Sequence, residues 1–252
     1  MDYITKLHEQ MVGTIKNSTN TKKIAIAFSG GVDSSLLAKI SSNIGYEILL
    51  LTVGFEGSHD IEFSKNISTM LQFKHVIDII SLESFSEVTR KIKQTIKTEN
   101  LSWNENCIAF YYVSKLAQNY GIKTVLTSNG IDELFCGYNA YREAIDEGEQ
   151  AVIMLMNKKL DNEIQMMKAV NAVSSEFDVT IIQPFLSKKF IEFAKTIPIE
   201  EKIKDKDDMI RKHIVRKLAL TIGIPKESAL KRKKALQYGS LIHKNLVKVK
   251  KY

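Results

Sequence analysis

The sequence predicts an α/β fold built on a parallel sheet. In the first 140 residues, short apolar runs alternate with segments of helical periodicity. Hydrophobic residues make up 44% of the chain and charged residues 26%, as in ordinary folded proteins. Its 252 residues suffice for one large domain or two small ones. Strands that alternate with helices are joined by right-handed crossovers, which place helices on both faces of a parallel sheet.

Four strands are predicted, each from a short apolar run of the kind found in buried strands. They cover residues 23–28, 47–53, 74–80 and 124–127. The segments between them have helical spacing, at residues 36–44, from about residue 60, at 85–97 and at 105–120. Gly121 ends the last of these helices and the fourth strand follows it.

Beyond residue 141 the helical pattern dominates, and it predicts helices over 154–172, 187–196 and 207–222. We therefore predict three parts. They are an N-terminal helical extension (1–22), a nucleotide-binding α/β domain (23–140) and a helical C-terminal part (141–252). Residues 202–252 hold 16 Lys and Arg against 4 Asp and Glu, a net charge of +12, so this last segment is strongly basic. Such a segment binds polyphosphate or nucleic acid, or is a solvated face.

Composition also excludes several classes of protein. The longest apolar stretches, 48–53 and 151–156, are far shorter than the roughly 20 residues that span a bilayer. Charged side chains among the first thirteen residues interrupt the apolar core that a signal peptide needs. Two cysteines, Cys107 and Cys136, are too few for a disulfide framework or a four-thiolate metal site. We therefore expect a cytoplasmic protein with no membrane partner.

The segment after the first strand, residues 29–35, reads SGGVDSS. A loop of small residues exposes successive backbone N–H groups, and the helix that follows directs the positive end of its dipole to the same place. The sequence therefore predicts a phosphate site, where Asp33 supplies a carboxylate for Mg²⁺. The GxxxxGK[ST] loop of kinases and GTPases is absent, so transfer of a γ-phosphate is not predicted.

SGGVDSS after a first parallel strand resembles the PP-loop of the ATP pyrophosphatases, which cleave ATP between its α and β phosphates while they adenylate a substrate. This resemblance implies a Rossmann-like sheet with ATP at the C-terminal strand ends. It also implies that pyrophosphate is bound by Ser29, Gly30, Gly31, Asp33, Ser34 and Ser35. Asparagine, GMP, NAD and argininosuccinate synthetases and tRNA-modifying enzymes share this loop, so the loop alone does not select a branch.

The segment after the fourth strand, residues 127–138, reads TSNGIDELFCGY and resembles the asparagine synthetase signature SGEGxDELFGGY. The resemblance implies that Ser128, Asn129 and Gly130 face the nucleotide. It further implies that Asp132 shares Mg²⁺ with Asp33 and that Glu133 takes part in catalysis. In this sequence Asn129 replaces a glutamate and Cys136 replaces a glycine. A neutral amide neither accepts a proton nor pairs with an ammonium group.

Three further segments resemble the same family. Residues 183–190 resemble its PFLDKKF stretch with Ser187 in place of Asp, residues 206–211 resemble the segment carrying a K-x-x-x-R helix, and residues 230–240 resemble its R-x-K motif. By this resemblance Lys234, with Arg232 nearby, neutralises charge that develops between the α-phosphate and the attacked acyl carbon. Val53 would contact adenine through its backbone.

The function that we predict is an asparagine-synthetase-like amide ligase that depends on ATP and Mg²⁺. It would adenylate a carboxylate, by family default aspartate, release pyrophosphate, and then transfer ammonia or another amine with release of AMP. Asp2 follows Met1 where a glutaminase domain needs a cysteine, so we expect a member without that domain, which takes its amine from solution or from a separate glutaminase subunit. Two alternatives stay open. One is an enzyme that adenylates a tRNA base, and the other is a non-catalytic partner of a glutaminase.

Overall fold

The computed structural model describes residues 2–232 and 236–249. Its strands are β1 (Lys23–Ala27), β2 (Glu47–Gly54), β3 (His75–Ile79), β4 (Thr124–Leu126) and β5 (Thr180–Ile182). Among the described residues they form one sheet in the order β3-β2-β1-β4-β5, and every neighbouring pair is parallel. The predicted α/β fold is therefore confirmed. The chain order of the strands reverses between β1 and β4, which is where open parallel sheets bind their ligands.

A fifth strand, which was not predicted, lies beyond residue 141, where helical pattern dominates the sequence. Strand β5 pairs with β4 through Thr124 and Thr180, Val125 and Ile181, and Leu126 and Ile182. It has three residues, too few for an apolar alternation to be recognised in the sequence. The division of the chain at residue 140 stays a prediction, and the sheet draws strands from both sides of it.

Helices cover both faces of the sheet. They are α1 (Tyr3–Lys16), α2 (Val32–Asn43), α3 (His59–Leu71), α4 (Leu82–Ile96), α5 (Leu101–Asn119), α6 (Ile131–Leu134), α7 (Ala140–Asp146), α8 (Glu149–Ser174), α9 (Lys188–Lys195), α10 (His213–Thr221), α11 (Lys226–Ala229), α12 (Leu236–Gly239) and α13 (Ile242–Val249). None of the helices in the described part of the chain is long and apolar enough to cross a membrane.

Helix α10 begins six residues later than predicted. The Asp208 carboxylate accepts hydrogen bonds from the backbone N–H groups of Lys204, Ile210 and Arg211, so it competes with the helix for its donors. Arg211 and Lys212 then adopt left-handed φ angles of 50° and 53°. Residues 207–212 therefore form a turn, and the expected helix over 207–222 is limited to α10.

The core consists of two clusters on opposite faces of the sheet. Ile24 and Ile26 of β1 belong to one cluster and Ala25, between them in the strand, belongs to the other. The first cluster takes Leu7, Met11 and Ile15 from α1, and the second takes Ile242 and Leu246 from α13. Helices near both ends of the described chain are thus packed into the core.

His75 links β2, β3 and α3 at the edge of the sheet. Its Nε2 lies 2.8 Å from Thr52 Oγ1, and its Nδ1 lies 2.9 Å from Ser68 Oγ. The Thr52 hydroxyl donates to the carbonyl of Phe28, which directly precedes residues 29–35. Burial, with a smaller contribution from Lys65, lowers the pKa of His75 to about 4.

We expect the pKa of His75 to make stability depend on pH. The folded pKa of about 4 lies below the ordinary value of 6.5, so as pH decreases the unfolded chain takes up the proton first. The free energy of unfolding therefore falls as pH is lowered from 6.5 to about 4. His75→Gln removes this titration. The free energy of unfolding of wild type minus that of the variant, measured in urea, should therefore decrease as pH falls. A gap that is the same at both ends of this pH range would contradict the assignment.

Candidate active site

A cavity of about 420 Å³ lies at the carboxyl ends of β1, β2 and β4. Strand ends contribute Phe28, Val53 and Thr127 to its lining. Helices α5 and α8 form another part of the wall, which includes Asn106, Phe110, Lys159, Asn162 and Glu163. The cavity therefore spans the switch point of the sheet, between the loops after β1 and β4.

The predicted phosphate loop, residues 29–35, forms part of this cavity and continues into the first turn of α2. Ser29 N–H donates to Ser34 Oγ over 3.3 Å, Gly31 N–H donates to Ser29 Oγ over 3.4 Å, and Ser34 Oγ donates to the Gly31 carbonyl. These bonds hold the small side chains against their own backbone beside the N-terminus of α2. Hydroxyl groups and a helix N-terminus at one place are suited to an anion.

Three of the predicted binding residues shape the loops and do not line the cavity. Gly30, with a φ of 75°, packs against Ser64 of α3, and its carbonyl accepts hydrogen bonds from Ser35 and Ser228. Gly130, with a φ of 104°, leaves no room for a Cβ, which would lie 2.9 Å from the Phe185 carbonyl oxygen. The predicted ligand contacts of Gly30, Ser35 and Gly130 stay a prediction. Ser29, Gly31, Asp33, Ser34, Val53, Ser128 and Asn129 do line the cavity.

A buried lysine joins the two carboxylates that were predicted to share Mg²⁺. Lys212 Nζ lies 2.7 Å from Asp33 Oδ2 and 3.0 Å from Asp132 Oδ1. The lysine side chain is 1% exposed and each carboxylate 12%. Asp33 lies in the first turn of α2, Asp132 in α6, and Lys212 directly before α10. The structure thus brings Asp33 and Asp132 together around a lysine, and their sharing of Mg²⁺ stays a prediction.

These two aspartates also fit Mg²⁺. Asp33 Oδ1 is buried and has no hydrogen-bond partner among the described residues. Residues 2–232 and 236–249 contain no group of three or more His, Cys, Asp and Glu side chains that could hold a metal. Mg²⁺ at nucleotide sites is commonly held by one or two carboxylates, with phosphate oxygens and water as its other ligands. Asp33 and Asp132 would therefore hold the ion only together with a bound phosphate.

Glu133 maintains the shape of the loop after β4. Its carboxylate accepts hydrogen bonds from Gly130 N–H and from the Tyr138 hydroxyl, and its carbonyl accepts one from Tyr141. Burial and the neighbouring carboxylates raise the pKa of Tyr138, so this phenol remains a donor. Glu133 also lines the cavity, and its catalytic role stays a prediction.

The structure accounts for two of the three departures from the family motifs. Cys136 has a φ of 59°, a conformation in which glycine is less strained, and burial raises the pKa of its thiol to about 12. The thiol therefore stays protonated and is a poor nucleophile. Ser187 is the exposed N-cap residue of α9 and is not among the residues lining the cavity.

The third departure, Asn129, contacts a carboxylate from another element. Its Nδ2 donates to Oε1 of Glu163 on α8, and its Oδ1 accepts from the Thr127 hydroxyl. Glu163 is 6% exposed. The amide in the signature therefore has a glutamate beside it, contributed by α8.

The basic C-terminal segment contributes to the cavity in part. Arg232 lines it and is exposed, whereas Lys234 lies outside the described residues. Helix α12 is followed by Ser240, whose carbonyl accepts a hydrogen bond from Phe55 N–H over 3.1 Å. This bond fixes the segment beside the end of β2, where Tyr238 lines the cavity.

Sequence reasoning did not identify three residues of the site: Lys212, Arg216 and Glu163. The Arg216 guanidinium donates to the carbonyls of Ile210, Arg211, Ala229 and Lys231. Lys212 and Arg216 have the K-x-x-x-R spacing, directly after the segment 206–211 to which the resemblance was assigned. That signal was present in the sequence. Glu163 is one of several acidic residues on α8, and no pattern distinguishes it.

Comparison with known proteins shows which family shares these features. Residues 8–179 and 164–249 match the family described as Asparagine synthase. A putative asparagine synthetase (glutamine-hydrolyzing) 1 from Methanocaldococcus jannaschii is 31% identical over 94% of this chain and 50% of its own length. Asparagine synthetase (glutamine-hydrolyzing) 1 from Arabidopsis thaliana is 26% identical over 81% of this chain and 36% of its own. The chain therefore spans half or less of these two relatives.

A solved structure supports the fold alone. NMN synthetase from Francisella tularensis superposes with a TM-score of 0.51 and 16% sequence identity. The match covers 94% of this chain and 78% of that one.

We expect Lys212→Met to leave two buried carboxylates without their cation. Removing one partner of a buried ion pair costs about 3–5 kcal/mol, so the free energy of unfolding should fall by that amount. Adding Asp132→Asn to this variant should restore part of the loss, because only one carboxylate is then uncompensated. Mg²⁺ added together with pyrophosphate should raise the melting temperature of Lys212→Met more than that of wild type. Equal stability of wild type and Lys212→Met in urea unfolding would contradict the prediction.

Proposed function

The chain belongs to the asparagine synthase family of ATP-dependent ligases, and on that premise we propose that it adenylates a small carboxylate and converts the adenylate to an amide. One observation carries this proposal. The phosphate loop, the paired carboxylates Asp33 and Asp132, and Arg232 of the C-terminal segment all line one cavity at the switch point of the sheet. A nucleotide bound there would have anion-binding groups, metal ligands and a cation around its phosphates.

The first step follows from this placement. A carboxylate oxygen of the acceptor attacks the α-phosphorus of ATP, and the bond to the β-phosphate breaks with its electron pair leaving on pyrophosphate. Ser29, Gly31 and Ser34 would hold the pyrophosphate at the N-terminus of α2. Mg²⁺ on Asp33 and Asp132 would neutralise charge on the phosphate oxygens.

Other residues of the cavity would position the remaining groups. Val53 lies at the end of β2, where its backbone would contact adenine. Arg232, with Lys234, would stabilise the charge that develops between the α-phosphate and the acyl carbon. Lys212 is a buried cation in the same cavity and would bind phosphate oxygens of the nucleotide.

The part of the cavity between α5 and α8 is suited to the acceptor. Asn106 and Asn162 present amides there, and Lys159 presents a cation that can bind a second carboxylate. This lining supports a small polar acid with a further negative charge, and aspartate is the first choice. The change at Ser187 has no bearing on this choice, because Ser187 is exposed on α9 outside the cavity lining.

Burial within the basic segment favours a small acceptor over a tRNA. Lys202, Arg211, Lys212 and Arg216 are all buried, at 0–3% exposure, and each has hydrogen-bond partners inside the protein. These four cations cannot contact nucleic-acid phosphates at the surface. The net charge of +12 in this segment therefore overstates the basic surface that a tRNA would meet.

The test is exchange of labelled pyrophosphate into ATP with Mg²⁺ and a panel of carboxylic acids. We expect exchange that depends on one acid and falls by at least about 100-fold in Asp33→Ala, the scale of losing one preorganised electrostatic group. Glu62→Ala, an exposed acidic position on α3, is the matched control and should exchange like wild type. ATP binding without exchange for any small acid would contradict the proposal and indicate a macromolecular substrate or a non-catalytic subunit.

A further inference from the structure

We propose that Glu163 on α8 is the carboxylate that takes the proton from the attacking amine, in place of the residue at position 129. This inference rests on the proposed function and concerns its second step alone. It assigns a catalytic role to a residue outside every segment that resembles a family motif.

The contact between Asn129 and Glu163 is the first observation. Asn129 occupies the position in the loop after β4 at which the signature has a glutamate. Its Oδ1 accepts from the Thr127 hydroxyl, so the amide is held with Nδ2 toward Glu163 Oε1. At this position the loop therefore holds the glutamate of another element and has no carboxylate of its own.

The location of Glu163 is the second observation. Glu163 lines the same cavity as Ser29 and Ser34 of the phosphate loop. Strand β4, which leads to Asn129, is the immediate neighbour of β1, which leads to the phosphate loop. A carboxylate held against Asn129 is thus placed beside the site of the acyl-adenylate.

The other carboxylates of the cavity have different tasks. Asp33 and Asp132 both bind Lys212. Glu133 accepts from a backbone amide and a tyrosine hydroxyl that fix its own loop. Asp60 lies against Gly239 of α12, beside the end of β2. Glu163 is the carboxylate that the structure brings to position 129.

The second step needs a proton acceptor. The amine nitrogen forms a bond to the acyl carbon, the bond from that carbon to the phosphate oxygen breaks, and its electron pair leaves on AMP. The nitrogen must lose a proton as the amide forms, and the Glu163 carboxylate accepts it. Before attack, the same carboxylate would hold an ammonium ion by charge and hydrogen bonding.

The decisive comparison separates the two half-reactions in Glu163→Gln. The glutamine side chain keeps an oxygen that can accept from Asn129 Nδ2, so the variant is expected to fold. Amide formation with ammonia should fall at least about 100-fold, the lower end of the range for losing a general base. Pyrophosphate exchange should fall less than about 5-fold, because the first step does not need this base. Asp161→Asn, an exposed carboxylate on the same helix, is the matched control and should behave like wild type in both assays.

A change in pH distinguishes proton transfer from a structural role. As pH rises, hydroxide from solvent takes over more of the proton transfer, so the ratio of wild-type to Glu163→Gln amide formation should narrow. A purely structural role would leave this ratio constant.

Moving the carboxylate provides a second test. In Asn129→Glu combined with Glu163→Gln, amide formation should recover at least about 10-fold over Glu163→Gln alone, because a carboxylate is again present beside the acyl carbon.

The outcomes separate this inference from the proposed function. If wild type exchanges pyrophosphate and forms amide, and Glu163→Gln forms amide at the wild-type rate, the role of Glu163 is overturned while the ligase stands. Equal losses of exchange and amide formation in Glu163→Gln would also overturn it, since the residue would then serve adenylation or folding. If wild type shows no exchange with any acid, the proposed function itself fails.

Discussion

The site depends on one buried ion cluster, in which Lys212 lies between Asp33 and Asp132. These residues come from three separate parts of the chain: the helix after β1, the loop after β4 and the turn before α10. Two carboxylates that are 12% exposed and an ammonium group that is 1% exposed compensate one another, and each charge left without its partner would be costly. The cluster therefore ties the C-terminal part to both loops of the sheet. Lys212 is positioned by the turn before α10. Asp208 stabilises this turn by accepting backbone hydrogen bonds, and helix α10 therefore begins later than predicted.

Local signals in the sequence identified most of the fold, and long-range contacts account for what they missed. Four strands and the helices between them were predictable because apolar runs and helical periodicity depend on neighbouring residues. Strand β5 was missed because three residues carry no period, and the start of α10 because a single aspartate captured its backbone donors. At the site, Asp33 and Asp132 were found through their motifs. Their contacts with Lys212 span 179 and 80 positions of the chain, and no local pattern encodes such contacts.

The departures from the family signature show how one chain accommodates unusual residues. Cys136 takes a left-handed conformation that glycine adopts more easily, and complete burial of its side chain offsets part of that strain. Asn129 replaces a charged residue with a neutral one, and Glu163 supplies a carboxylate at its side. Considered one position at a time, both substitutions would predict that the function of the family residue is lost. The structure shows that the chemistry of such a position belongs to a pair of residues, of which only one lies in the motif.

The four carbonyl bonds of Arg216 have a consequence for the order of binding events. One guanidinium group joins the turn that carries Lys212 to the segment that carries Arg232. A ligand that shifts the turn before Lys212 would therefore also act on the backbone beside Arg232, and a ligand that shifts the backbone beside Arg232 would act on the same bonds from the other end. Thermodynamic reciprocity then requires each ligand to change the affinity for the other by the same factor. In this protein, cooperativity between metal and nucleotide would be transmitted through the Arg216 side chain, which itself lines the cavity.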